Sequence, residues 1–235
     1  MGCRVLAAVL IAGCSFHPPP SSIDPTDAAA PGKLDASSSE LPDGAVAGSD
    51  AANPDAVITQ STTDHVSVAD VWLHSGQPNT SFVNDPYVIA DGVPNATALL
   101  RFDLGALSGT QIVSAELHIW TDFDPGATVE VSTMLENWAE TSATWNQRSS
   151  GVAWSTTGAN PPGSRSATPI GSFTPGPAFT EFSVALTPAA IAGWVANPAT
   201  NFGLAIFSAN VDGPRFVSRE GSAANRPFLR ITHLP

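Results

Sequence analysis

The sequence predicts an all-β domain, a jelly-roll-like β-sandwich with one short helix, preceded by an export signal and a disordered tether. Three observations carry this. Short β-branched and aromatic runs recur along the chain, broken by Gly, Pro, Asn and Asp clusters, which is the spacing of a sandwich or barrel. Two of those runs alternate cleanly: Leu100, Phe102 and Leu104 oppose Arg101 and Asp103, and Ala115, Leu117 and Ile119 oppose Glu116, His118 and Trp120. Finally, the polar N-terminal stretch leaves about 175 residues, a normal size for one sandwich with a real core.

Taken in order, the runs predict strands over residues 66–73, 87–90, 96–104, 112–121, 128–135, 179–186, 202–208, 215–219 and 228–233. One helix is expected after 186, with Thr187 as N-cap, Pro188 at its first position and Ile191, Trp194 and Val195 on one face, before Asn197-Pro198 stops it. It would plug an open end of the sandwich. The Gly- and Pro-rich run 158–177 has no periodicity and reads as a long loop.

Ahead of the domain, Arg4 gives a short positive region, Val5 to Ile11 an apolar stretch of signal length, and Ile11-Ala12-Gly13-Cys14 a small-residue cleavage site. The apolar stretch is too short to span a bilayer. Cysteine directly after Ile-Ala-Gly resembles the bacterial lipobox, which implies a lipoprotein signal over residues 1–13 and lipidation of Cys14. Cys3 then leaves with the signal and the domain holds no thiol. The other reading is an ordinary secretory signal with Cys14 incidental. Ser15 following the cysteine, by resemblance to Gram-negative sorting rules, favours the outer membrane, so the expected location is exported and lipid-anchored at the outer membrane or cell surface. Residues 14–60 are rich in Pro, Ala, Ser, Gly and Asp and poor in large apolar side chains, which makes them a disordered tether. A flexible chain of that length spans roughly 35 to 40 Å. The β-domain then occupies 61–235.

Composition narrows the function. The formal charge is −12, and the single lysine, Lys33, lies in the tether; the domain's basic residues are all arginines, unclustered in sequence. That is no nucleic-acid footprint. The domain has no cysteine, and its histidines, His65, His74, His118 and His233, stand in no paired metal spacing; no Gly-x-Ser-x-Gly or phosphate loop occurs. Carboxylates such as Glu116, Glu136, Glu140 and Asp103 leave open a glycosidase-type pair, since that chemistry needs only two acids brought together by the fold. Asp85, Asp91, Asp122, Asp124 and Asp212 sit in turn-like settings where Asp caps its own backbone, so no cofactor is required, with room for a structural calcium.

Several separated segments carry a resemblance: Ala69-Asp70-Val71-Trp72 with Pro78-Asn79-Thr80, Leu99-Leu100-Arg101-Phe102-Asp103-Leu104, Ser114 to Ile119, Trp138-Ala139-Glu140 running into Thr144-Trp145-Asn146, Asn201 to Ile206, and Phe216-Val217-Ser218-Arg219-Glu220 ahead of Arg226 to Ile231. In that order and spacing they resemble the DNRLRE domain, a bacterial secreted β-sandwich family grouped with carbohydrate-binding modules. The resemblance runs from about residue 64 to the end and weakens between Ala159 and Phe179. It implies a non-catalytic module that recognises polysaccharide, with neutral polymer favoured over polyanion by the net field. Sugar recognition stacks aromatic rings on apolar sugar faces beside planar polar groups. Trp120, on the side of Glu116 and His118, is therefore the first ligand candidate if that side is solvent; otherwise it is a rim or packing residue. Trp154, Tyr87 and Trp72 are second candidates. The motif residues Trp138, Glu140 and Trp145 read as structural, and Arg101, Asp103, Arg219 and Glu220 as structural salt bridges such as Arg101 to Glu220 or Arg219 to Asp103. Two other classes remain beside this reading: a structural or adhesive surface module with protein partners, and a polysaccharide hydrolase or lyase.

Overall fold

The computed structural model of the chain describes residues 58–123 and 126–235. Thirteen strands form in this region: β1 Ser61–His74, β2 Tyr87–Ile89, β3 Asp91–Gly92, β4 Asn95–Phe102, β5 Gln111–Phe123, β6 Val129–Thr133, β7 Gln147–Ser149, β8 Val152–Ala153, β9 Gly171–Phe173, β10 Thr180–Leu186, β11 Leu204–Phe207, β12 Arg215–Val217 and β13 Phe228–Leu234. Among the described residues a single α-helix forms, α1, over Pro188–Ala196. The signal, Cys14, Asp124 and all but the last residues of the expected tether lie outside the described residues.

Two antiparallel sheets face each other. In the first, β5 is central, with β10 on one edge and β13 and β12 sharing the other; β2 extends β12. The second runs β1–β4–β11–β6–β9. β1 belongs to both. Its residues 61–66 pair with β13, a bulge falls between Ser67 and Ala69, and residues 67–74 pair with β4. A bulge re-aims a strand and raises its twist, which is how one strand turns the corner of a sandwich. The strand begins earlier than the sequence predicts because its polar start, Ser61 to His65, carries no apolar alternation and gains its ladder from β13.

The main core lies between the sheets and joins Ala115, Leu117 and Ile119 of β5 to Leu100 and Phe102 of β4, Leu204 and Ile206 of β11, and Ile191, Trp194 and Val195 of α1. A second cluster sits on the outer face of the second sheet, where Val71, Leu73, Leu99 and Ala205 are covered by Met134, Trp138, Ala143, Trp154 and Ala159. β4 is buried on both faces from Ala96 to Leu100, which is why the alternation around Leu100 and Phe102 does not extend back through the first half of the strand.

Thr187 precedes the helix as expected, but its hydroxyl donates to the Ile170 carbonyl instead of capping. The stretch 158–177 is not all loop: Gly171–Phe173 pairs with β6, because its hydrogen-bond partners are distant in sequence and leave no local pattern. The β7–β8 hairpin escapes the sequence because strands of three and two residues are too short to show a period.

Candidate functional site

With the second sheet's outer face covered, the outer face of the first sheet is the one open to solvent. The register lays its side chains in rows. Asp64, Arg230, Glu116 and Ala185 are cross-strand neighbours, as are Val66, Phe228, His118 and Ser183; Trp120 stands opposite Glu181. Arg230 donates through Nε and Nη2 to the two oxygens of Asp64, at 2.8 Å each. The bond holds the Asp64 carboxyl below its ordinary range and raises the guanidinium's affinity for its proton. His118 is buried, its ring stacked on Phe228 with centroids 4.5 Å apart. Its Nδ1 lies 2.7 Å from Glu181 Oε1 and its Nε2 3.5 Å from Glu116 Oε2. A shallow crevice lined by His118, Trp120, Glu181, Arg226 and Phe228 opens beside the indole. Trp120 is half-buried, and no other ring or guanidinium stacks on it among the described residues.

The fold therefore brings Glu116, His118 and Trp120 together as β5 alternation demands. Tyr87 joins the same sheet further along: Arg215 lies over its ring at 4.5 Å and bonds Asp122 through Nε at 2.6 Å, two residues beyond Trp120. His118 is a pillar rather than a contact surface, since Phe228 covers it. Phe228, Glu181 and Arg226 were not ligand candidates in the sequence; the register sets Glu181 opposite Trp120 and Phe228 opposite His118, and the crevice lining adds Arg226.

Two candidates move away from any ligand. Trp154 is 5 % exposed, packs in the second cluster and donates its indole N–H to the Thr144 carbonyl at 2.8 Å. Trp72 is buried, stacks on Phe82 at 4.0 Å and donates to Asp85. Both stand near loops in sequence, but those loops fold over them.

The motif charges pair differently from either expected bridge. Arg219 Nη2 contacts Glu140 at 2.8 Å and its neighbour Glu220 at 3.0 Å. Arg101 projects onto the covered face of the second sheet, where its guanidinium lies 4.5 Å over Trp138 and Nη2 donates to Asn137 Oδ1 and the Trp138 carbonyl, each at 2.9 Å. Asp103 accepts the Gly105 N–H in its own turn. Trp138 is buried with its N–H on the Phe202 carbonyl, and Trp145 packs at the edge of the second cluster. Asn146 donates its side-chain amide to Asn79 Oδ1 at 2.8 Å.

Asp70 is the centre that sequence did not single out. It is 1 % exposed; Oδ2 accepts the Arg219 N–H at 2.7 Å, and its own N–H donates to Glu140 at 2.8 Å. Burial pushes its carboxyl up to about 7, and the nearby Glu220 and Glu140 add to the rise against the Arg219 N–H bond. Asp70, Glu140 and Glu220 have oxygens within 4.8 Å of one another; the Arg219 guanidinium pairs with Glu140 and Glu220, while Asp70 takes the Arg219 backbone N–H. Of the turn aspartates, Asp85, Asp91 and Asp122 each serve a protein donor, and Asp212 is exposed.

A two-sheet sandwich with one bare face, on which a tryptophan stands among carboxylates and arginines, has the build of a sugar-recognition module. The chain belongs to carbohydrate-binding module family 96, whose family model matches residues 61–233. No curated protein matches the chain.

Proposed function

We propose that the protein is a non-catalytic surface lipoprotein whose module holds neutral polysaccharide across the outer face of the first sheet. The observation that carries this is the position of Trp120: it stands on the open sheet face, unstacked, with Glu181 opposite it and Arg226 at its side. A pyranose ring presents an apolar face to the indole while its hydroxyls meet the carboxylate and guanidinium. Phe228 over His118 forms the next step along the same face. Glu116 and Glu181 both turn to His118, which suits them to charge pairing more than to acid–base work on a glycosidic bond. Arg4, the apolar stretch after it and Cys14 support export and lipid anchoring, with the stretch before residue 61 as a tether.

The purified full chain, tested against insoluble and soluble neutral and acidic polysaccharides, is expected to be retained by a neutral polymer with a change in tryptophan fluorescence and no new reducing ends. Trp120→Ala should weaken that retention about 10-fold or more, the loss typical of an aromatic anchor. Retention by none of the polymers would shift the reading to a protein-binding surface module, and new reducing ends would establish a hydrolase or lyase.

A further inference from the structure

A second concavity shares no residue with the Trp120 face. It is a groove of about 360 Å³ where β4 leaves the sandwich, between the bulge of β1 and the end of α1. Trp194 and Phe102 lie at its base, Val68 and Pro198 are exposed at its sides, and Arg101, Asp103 and Asn201 supply the polar groups. Its volume is near the lower end for small-ligand sites, and its lining of apolar surfaces with a few convergent polar groups is the general pattern of such sites.

The polar groups are fixed and incompletely used. Arg101 is held by Asn137, by the Trp138 carbonyl and by the Trp138 ring, yet its Nε is buried with no partner. Asn201 donates Nδ2 to the Phe102 carbonyl at 2.9 Å, which fixes its amide and leaves Oδ1 buried with no partner. An unmet buried donor or acceptor costs about 1 to 3 kcal/mol, and with Arg101 and Asn201 both lining the groove, a ligand group that both donates and accepts suits its polar lining. A hydroxyl donates and accepts at once. Asp103 at the rim, with one oxygen on the Gly105 N–H, offers a further acceptor and carries a negative charge that discourages a second carboxylate in the groove.

From this arrangement we infer that the groove bounded by Val68, Arg101, Asp103, Trp194 and Asn201 is a second carbohydrate site, taking a short neutral saccharide such as the terminal unit of a chain. The inference rests on the carbohydrate-binding reading above but not on the Trp120 face. The apolar face of the sugar lies against Trp194, Val68 and Pro198, and its hydroxyls answer the polar groups. One or two rings fill the space, so the groove selects chain ends and oligosaccharides while the open face selects polymer.

Isothermal titration of the full chain with neutral trisaccharides derived from β-glucan, mannan, xylan and chitin, run beside retention on the parent polymers, tests this. Val68→Trp fills the groove from an exposed position, and Asp103→Asn keeps the Gly105 contact while removing the charge; thermal unfolding verifies that each is folded. The expected result is binding of at least one trisaccharide, weakened 10-fold or more by Val68→Trp and by a smaller factor by Asp103→Asn, with polymer retention unchanged. Trp120→Ala should do the reverse. Trisaccharide binding that Val68→Trp leaves intact overturns the groove site, as does polymer retention with no trisaccharide bound; in that last case the Trp120 face stands. Failure to bind any polymer or trisaccharide removes both.

Discussion

Asp70 shows how much one residue governs in this domain. Its ordinary carboxyl value is 3.8, and burial raises it to about 7 in the folded chain. Below about pH 4 the group is protonated whether folded or not. Between there and about 7 the unfolded chain gives up the proton while the folded chain keeps it, so this residue's contribution to stability falls as pH rises through that window and levels off above it. Asp70→Asn retains an oxygen for the Arg219 N–H and abolishes the titration. Chemical denaturation at pH 4.5 and 8.5 should show the variant gaining on the unaltered protein at the higher pH, by on the order of a few kcal/mol, with little difference at the lower; equal pH slopes in the two proteins would refute the assignment. At this scale the sequence was legible where alternation alone decides, as for Glu116, His118 and Trp120. It was not legible where a third element intervenes. Phe228 buries His118 from β13, the outer face of the second sheet buries Trp154, and Arg219 meets Glu140, 79 positions away in sequence.

At the scale of elements, the decisive one is the stretch from Met134 to Arg165, which contains little regular structure yet covers the second sheet and so leaves the first as the open face. Its hold depends on close approach. Gly158 has φ +74°, and a Cβ there would lie 2.5 Å from the Trp145 ring. Gly158→Ala therefore meets both a strained backbone and a clash with a large ring, and should cost roughly 1 to 3 kcal/mol in global unfolding. It should also raise proteolytic nicking within this stretch while sparing the β5 ladder, a pattern that limited proteolysis with mass mapping reads directly. A variant as resistant as the parent would mean that the cover is not held at Gly158. The strands with clean alternation were plain in the sequence, β4 and β5 most of all. Those resting on remote partners were not: Gly171–Phe173 has too few residues to show a period, and the start of β1 is polar because it lies on an edge shared with β13.

For the whole molecule, charge and geometry select the ligand together. Residues 61–235 carry fourteen acids against seven arginines, and several of those arginines are already committed, Arg230 to Asp64, Arg215 to Asp122 and Arg219 to Glu140. A polyanion approaching such a surface meets a repulsive field and few free cations, whereas a neutral chain meets only the stacking and hydroxyl contacts. Repulsion of this kind acts through solvent and is screened by salt within about 10 Å at 0.1 M, while ring stacking is not. Retention on a neutral polymer should thus change less than about 2-fold between low salt and about 0.5 M salt. Any residual association with an acidic polysaccharide should strengthen over the same range as the repulsion is screened. The opposite trend, tight binding of an acidic polymer at low salt that is lost as salt rises, would show that the free edges of Arg226 and Arg230 outvote the net field, and would reassign the open face to polyanionic glycans.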